Sequence, residues 1–216
     1  MKNLFSFSLV IFVAVLSGAV VLTGDLCQAF YSNLDTADLL KPGEYELGLE
    51  PQYIFTDFPG ANVIAHLNMG GTENSNYRFL LGSGSTAFQA GAFYKVVPIP
   101  DYQNQPGIGG YGGIIVGVEN GQSTVSLRIH PEISKRFVTL SSGVFTPYFA
   151  LPFGVLFYDG TPYYPIQVAI GTKWMPQSLK HMSFWGELGL NLNSAFSYVS
   201  LGLTVPFDSW ENIRFD

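Results

Sequence analysis

The chain has 216 residues, carries a formal net charge of −6 at pH 7 and contains only 12% charged residues. Ordinary soluble domains contain about 25% charged residues, so this composition is unusual for a soluble protein. The acidic balance also excludes the basic surface that is typical of nucleic-acid binding.

The first 29 residues have the pattern of a secretory signal peptide. Lys2 precedes a long apolar run, and Cys27 and Ala29 are small residues at the positions that a signal peptidase reads. We therefore expect cleavage after Ala29, although the apolar run also approaches the length of a membrane-anchoring helix. Cleavage removes the single cysteine, which leaves no disulfide or thiolate metal site. We predict no metal and no other cofactor.

Ten strand-like segments follow a short lead-in over residues 30–42. Short segments of strand formers, separated by Gly, Asn, Asp and Pro, are typical of an all-β barrel or sandwich. We place the barrel at residues 43–207 and a short C-terminal extension at residues 208–216. The predicted segments cover residues 43–57, 62–69, 76–83, 86–97, 109–119, 122–137, 144–158, 164–174, 183–193 and 196–207.

The sixth segment shows the clearest alternation. Val125, Leu127 and Ile129 alternate with polar or charged residues such as Arg128 and His130. Successive side chains of a strand point to opposite faces, so the segment has one apolar face and one charged face. In a soluble barrel the charged face would lie outside, whereas in a transmembrane barrel it would line the lumen.

Strand length and aromatic placement favour the transmembrane alternative. A tilted spanning strand needs about 9–11 residues, whereas strands of soluble domains cluster near 5–6 residues. Rings near both ends of the strands are typical of the aromatic girdles of membrane barrels. The rings near segment ends are Tyr45, Tyr53, Phe55, Tyr94, Trp174, Phe184 and Phe207.

Two turns predict the pairing of neighbouring strands. Asn120-Gly121 suits a type I′ hairpin, which pairs Glu119 with Gln122 and Gly113 with Arg128. A two-residue turn at Ser194-Ala195 would pair Leu188 with Leu201. In both hairpins the apolar side chains then share one face.

The last segment carries the pattern of a known class of protein. Val199, Leu201, Leu203, Val205 and Phe207 alternate outward, and the strand ends on an aromatic ring. This resembles the terminal signal of bacterial outer-membrane β-barrels, in which the assembly machinery reads the last strand, here through Val205 and Phe207. The resemblance implies a monomeric barrel in a Gram-negative outer membrane, in contact with lipid and lipopolysaccharide. It also implies that both termini, including the lead-in, are periplasmic.

The class usually has short periplasmic turns and long outer loops, and this chain departs from that pattern. Its odd-numbered connections, which would face outward, are short, and its longer connections would face the periplasm. Nine residues also follow Phe207, where the class signal usually ends the chain.

The polar face predicts the content of the lumen. Charges in a narrow interior must be paired or hydrated, so we interpret them as a structural network in a largely packed lumen, with a structural or narrow-pore role. The network comprises Glu46, Glu50, His66, Arg78, Lys95, Arg128, His130, Glu132 and Glu187.

Two other functions stay open from the sequence. The first is a lipid- or peptide-modifying hydrolase, for which Ser126, His130 and Glu132 share a face. Residues two apart on a strand lie beyond hydrogen-bond reach, however, and we expect no enzyme. The second is a soluble periplasmic carrier resembling a lipocalin, which predicts Arg128 outside and Leu127 inside.

Overall fold

The computed structural model describes residues 32, 34–56, 59–85, 88–119, 121–179 and 181–207. The predicted signal peptide, residues 1–29, and the predicted extension, residues 208–216, lie outside the described residues. Within the described part, no helix has the length and apolar character needed to cross a membrane.

Thirteen strand segments form one antiparallel sheet that closes on itself. The first segment, β1, pairs with the last, β13, and β1 to β6 pair in chain order. β6 then pairs with β8 and β9, β8 pairs with β7 and β11, and β11 to β13 again pair in chain order. The segments are β1 Tyr45–Ile54, β2 Gly60–Thr72, β3 Ser75–Gly84, β4 Phe88–Ile99, β5 Gly107–Glu119, β6 Gln122–Ser134, β7 Phe137–Thr139, β8 Gly143–Ala150, β9 Phe153–Tyr158, β10 Thr161–Tyr163, β11 Ile166–Met175, β12 Ser183–Asn193 and β13 Tyr198–Phe207.

Three pairs of segments are single strands with a short interruption. β6 pairs with both β8 and β9, and the register is the same on the two sides of Leu151 and Pro152. Backbone hydrogen bonds span the breaks, as from Gln167 N to Pro152 O at 2.9 Å. Proline has no N–H for the ladder, which accounts for the interruptions at Pro152 and Pro165. Joining β6 with β7, β8 with β9 and β10 with β11 gives the predicted ten-stranded, closed, antiparallel barrel, and the fold prediction is confirmed.

The register predicted for the hairpin between β5 and β6 is confirmed. Glu119 pairs with Gln122 and Gly113 with Arg128, and Gly121 has the positive φ of 79° that the turn requires.

The predicted register of the last hairpin is wrong by two residues. Leu188 pairs with Val199 and not with Leu201, because residues 194–197 form a longer connection in which Ala195 and Phe196 are buried. A shift of two residues keeps every side chain on its face. The expected apolar outer face therefore survives the error.

The two ends of the barrel differ in their connections. We call the end where β1 begins and β13 ends the terminal end, and the other the hairpin end. Long connections, such as residues 100–106 and 176–182, lie at the terminal end, whereas the turn after β5 and the turn between β9 and β10 lie at the hairpin end. The difference in length agrees with the sequence pattern.

Candidate functional site in the lumen

The two faces of β6 define inside and outside. Leu127 and Ile129 are 49% and 53% exposed, whereas Arg128 is only 3% exposed and Glu132 is also buried. Apolar side chains thus face outward and ionic ones face the lumen. The soluble-carrier alternative predicted the reverse orientation, and it is wrong in this respect.

The outer wall has the composition that lipid requires. Among the described residues of the thirteen segments, outward positions carry no Asp, Glu, Lys or Arg. Aromatic rings stack around the terminal end, as Tyr45 does on Phe207 at 5.4 Å and Phe145 on Trp174 at 5.8 Å. Exposed rings at the hairpin end are Tyr53, Phe88, Phe157 and Tyr164. An apolar band between two aromatic girdles is the surface of a transmembrane barrel.

All nine residues of the predicted network lie buried in the lumen: Glu46, Glu50, His66, Arg78, Lys95, Arg128, His130, Glu132 and Glu187. The two residues proposed as an assembly signal, Val205 and Phe207, pair with Leu47 and Tyr45 of β1.

One part of the network lies toward the terminal end. Arg78 Nε donates to Asn68 Oδ1 at 2.7 Å, and Asn68 Nδ2 donates to Glu46 Oε1 at 3.1 Å. Lys173 Nζ lies 3.4 Å from Glu46 Oε2 and above the ring of Trp185. These contacts join β1, β2, β3, β11 and β12 across the lumen, so charges of both signs satisfy one another there.

A second part surrounds Glu187, in the middle of β12. The hydroxyls of Tyr148 and Tyr198 donate to its two carboxylate oxygens at 2.6 and 2.5 Å. Glu50 accepts a hydrogen bond from Ser200 Oγ at 2.8 Å. Burying a carboxylate is unfavourable unless it is hydrogen-bonded, and these hydroxyls supply the hydrogen bonds.

The third part contains the two lumen histidines, which line a small cavity together with Ser32. The His130 ring stacks on Tyr111 with the centroids 4.3 Å apart, and His66 lies directly over Gly48. Ser126 Oγ accepts a hydrogen bond from Arg128 Nε at 3.0 Å.

The lead-in contributes a fourth part, which sequence analysis missed. We call residues 34–40 the luminal segment. It runs inward from the terminal end, with Ala37 N donating to Ser134 Oγ at 2.9 Å and Leu34 N donating to Glu187 Oε2 at 3.0 Å. Residues 34–40 of the lead-in therefore lie against the lumen wall.

Asp35 is the charged centre of the luminal segment. Its Oδ1 lies 2.8 Å from Lys95 Nζ and its Oδ2 lies 3.6 Å from Arg78 Nη2. Lys95 also lies 3.5 Å from Glu132 Oε1. Arg78 and Lys95, two cations of the predicted network, thus bind a carboxylate of the lead-in, which precedes the first strand.

Residues of the site that were absent from the predicted network include Asp35, Tyr148, Lys173 and Tyr198. Strand alternation could have found Lys173, because Ile170 and Trp174 on the same strand point outward. No periodicity could have found Asp35, since it precedes the first strand.

Apolar side chains pack together at the hairpin end. Ile54, Ile64, Phe196 and Tyr198 form one buried cluster, with Leu80 packed against it. We call this cluster the apolar cap. Gln167 Nε2 donates to the Phe196 carbonyl, which holds the connection 194–197 against the wall.

Space within the lumen is limited. A cavity of about 200 Å³ lies beside the luminal segment at the terminal end, between Asp38, Glu46 and Lys173. A second cavity of about 20 Å³ lies between Glu50, His66 and Arg128, which is room for about one water molecule. Among the described residues no cluster of His, Cys, Asp and Glu has the arrangement of a metal site.

No family model and no curated protein matches the chain. Similar solved structures include a de novo designed transmembrane β-barrel, with a TM-score of 0.40 and 13% identity over 79% of this chain and 100% of that one. The β domain of a Bordetella autotransporter has a TM-score of 0.48 and 10% identity over 76% and 98% of the two chains. A bacterial polysaccharide outer membrane secretin has a TM-score of 0.44 and 9% identity over 76% of this chain and 65% of that one. The assignment as a transmembrane barrel rests on the closed ladder and the apolar wall of this chain.

Proposed function

We propose that the protein is an integral outer-membrane β-barrel whose narrow pore is closed at rest by the luminal segment. The observation that carries this proposal is the ionic contact of Asp35 with Lys95 and Arg78 inside the barrel. A chain segment that crosses part of the lumen and is held by opposite charges blocks the path that a solute would take.

The outer membrane is proposed from the barrel and from the secretory pattern of residues 1–29. Backbone groups in hydrocarbon must all be paired, and the closed ladder pairs them. Closure also removes the free edges through which strands associate, which supports a monomer. Lipid and lipopolysaccharide then contact the wall, and the assembly machinery recognises β13 through Val205 and Phe207.

A general porin fits the geometry poorly. About eight strands leave an interior that side chains just fill, and wide aqueous channels come with 16–18 strands. A ten-stranded barrel whose packed lumen contains charges of both signs suits the passage of small solutes or ions once the luminal segment moves. We propose no catalytic activity, because Ser126 is hydrogen-bonded to Arg128 and His130 stacks on Tyr111.

Conductance across planar bilayers tests the proposal with the full chain. The unaltered protein should be closed for most of the recording, and the double substitution Leu34→Glu and Asp35→Lys should give sustained open-channel current. The reversed charge would meet Lys95 and Arg78 instead of pairing with them. Lys41→Gln is the matched control, since Lys41 directly follows the luminal segment and its side chain is 85% exposed.

A reversible lock separates movement of the segment from damage to the barrel. A Cβ at Gly107 would lie 3.0 Å from the Ala37 Cβ, which is close enough for a disulfide after small adjustment. We expect Ala37→Cys with Gly107→Cys, combined with the double substitution, to stay closed when oxidised and to open on reduction. A double variant that stays silent at all voltages would exclude the pore and leave a structural role.

A further inference from the structure

The luminal segment is held as a bound peptide would be. Wall side chains satisfy its backbone: Arg78 Nη2 donates to Leu34 O at 3.1 Å, and Lys95 Nζ donates to Asp38 O at 2.8 Å and to Thr36 O. Glu187 and Ser134 accept from the N–H groups of Leu34 and Ala37. The four wall residues come from β3, β4, β6 and β12, so the site contacts the segment from several sides of the lumen.

Two side chains give the site its selectivity. Leu34 is fully buried with Tyr148 and Trp185, in a space above Gly202 where a Cβ would lie 2.6 Å from Leu34 Cδ1. The next residue, Asp35, lies between Lys95 and Arg78. The site therefore fits an apolar residue followed by an acidic one.

The barrel closes without the luminal segment. The ladder keeps one register from β13 to β1 and from β1 to β2, and the contacts described above attach the segment through wall side chains. Removal of the segment from the lumen thus requires no ladder hydrogen bond to break.

We propose that the lumen is a binding site for an acidic peptide with an apolar residue before the acid, and that residues 34–38 are its tethered occupant. The proposal rests on the proposed function, in which the same segment closes the pore. It adds that the site accepts the peptide from solution whenever the tethered segment is displaced. A tethered ligand has an effective concentration in the millimolar range, so the unaltered chain should exclude the free peptide.

Fluorescence anisotropy with the full-length protein in detergent tests this site. The probe is a labelled peptide with the sequence of residues 34–40, LDTADLL. We expect saturable binding to the Leu34→Glu and Asp35→Lys variant and at least about tenfold weaker binding to the unaltered protein. A peptide with lysine in place of its first aspartate should bind the variant about tenfold or more weakly, because it loses hydrogen bonds between charged groups.

Separate results distinguish failure of this site from failure of the pore. A variant that conducts but does not bind the peptide would overturn the peptide site and leave the proposed function standing. Peptide binding without conductance in any variant would support the site and overturn the pore. Should the double variant not assemble, Asp35→Asn keeps the size of the side chain and the whole wall. It should bind the peptide at higher concentrations, and absence of binding to Asp35→Asn would then overturn the proposal.

Discussion

The two ends of the lumen are filled in different ways. At the terminal end, charged wall residues hold a segment that belongs to no strand. At the hairpin end, the apolar cap is formed largely by residues of β1, β2 and β13 and of the connection between β12 and β13. The luminal segment can leave the lumen without breaking the ladder, whereas the apolar cap is part of the fold itself.

Glu187 connects the apolar cap with the luminal segment. Tyr198 of the apolar cap donates to one of its oxygens, and Tyr148 and the Leu34 N–H of the luminal segment donate to the other. A change at one end can therefore reach the other through a single carboxylate. The substitutions below separate the contribution of the apolar cap to stability from that of the contacts at Glu187 and at the terminal end.

The largest effect on stability should come from the apolar cap. Phe196→Ala removes a buried ring, which typically lowers the free energy of unfolding by about 3–5 kcal/mol. Urea unfolding in detergent measures this loss, and Leu192→Ala is the control because Leu192 is 51% exposed. Equal losses in the two variants would show that the cap is not part of the fold's core.

A smaller effect on stability is expected at Glu187, which connects the apolar cap with the luminal segment. Glu187→Gln keeps the shape of the side chain but removes its charge, and hydrogen bonds to charged groups contribute about 1.5–3 kcal/mol. We expect the same urea measurement to show a loss in this range. Tyr148→Phe and Tyr198→Phe, alone and with Glu187→Gln, form double-mutant cycles, and a coupling of zero for Tyr198 would remove the link to the cap.

The smallest effect concerns pH and lies in the connection 100–106, outside the spanning strands. Burial raises the pKa of Asp101, but hydrogen bonds from Lys135 and from the Arg136 N–H outweigh it and hold this pKa below its ordinary value of 3.8. The folded chain therefore binds this proton more weakly than the unfolded chain. The resulting stabilisation is present above the ordinary pKa and is lost as the pH falls through the lowered one.

Comparison with Asp101→Asn isolates this titration from that of the other carboxylates. The unaltered protein should lose more of its unfolding free energy than the variant does as the pH falls through the acid range. Identical pH profiles for the two proteins would show that Asp101 does not stabilise the terminal end.

Features that depend on local sequence pattern, such as the two faces of a strand, could be predicted from the sequence. The alternation along β6 is repeated at every second residue, so the orientation of Leu127 and Arg128 followed from it. The Asn-Gly turn determined one register by its own backbone requirement.

Features that depend on distant partners could not be predicted. Residues 194–197 turn inward because Asn191 Oδ1 accepts from Ala195 N at 3.0 Å and Gln167 on β11 holds Phe196. The position of Asp35 depends on Lys95, which lies 60 residues further along the chain.

Several glycines of the lumen wall face a ring from the paired residue of the neighbouring strand. A Cβ at Gly48, Gly171 or Gly189 would lie 2.1–2.3 Å from His66, Tyr148 or Tyr198, respectively. In each case the ring covers the backbone of the glycine, and a methyl group on the glycine would displace the ring toward the barrel axis. The bore of the lumen can therefore be narrowed one methyl at a time, and at Gly171 and Gly189 the displaced ring is one that donates to Glu187.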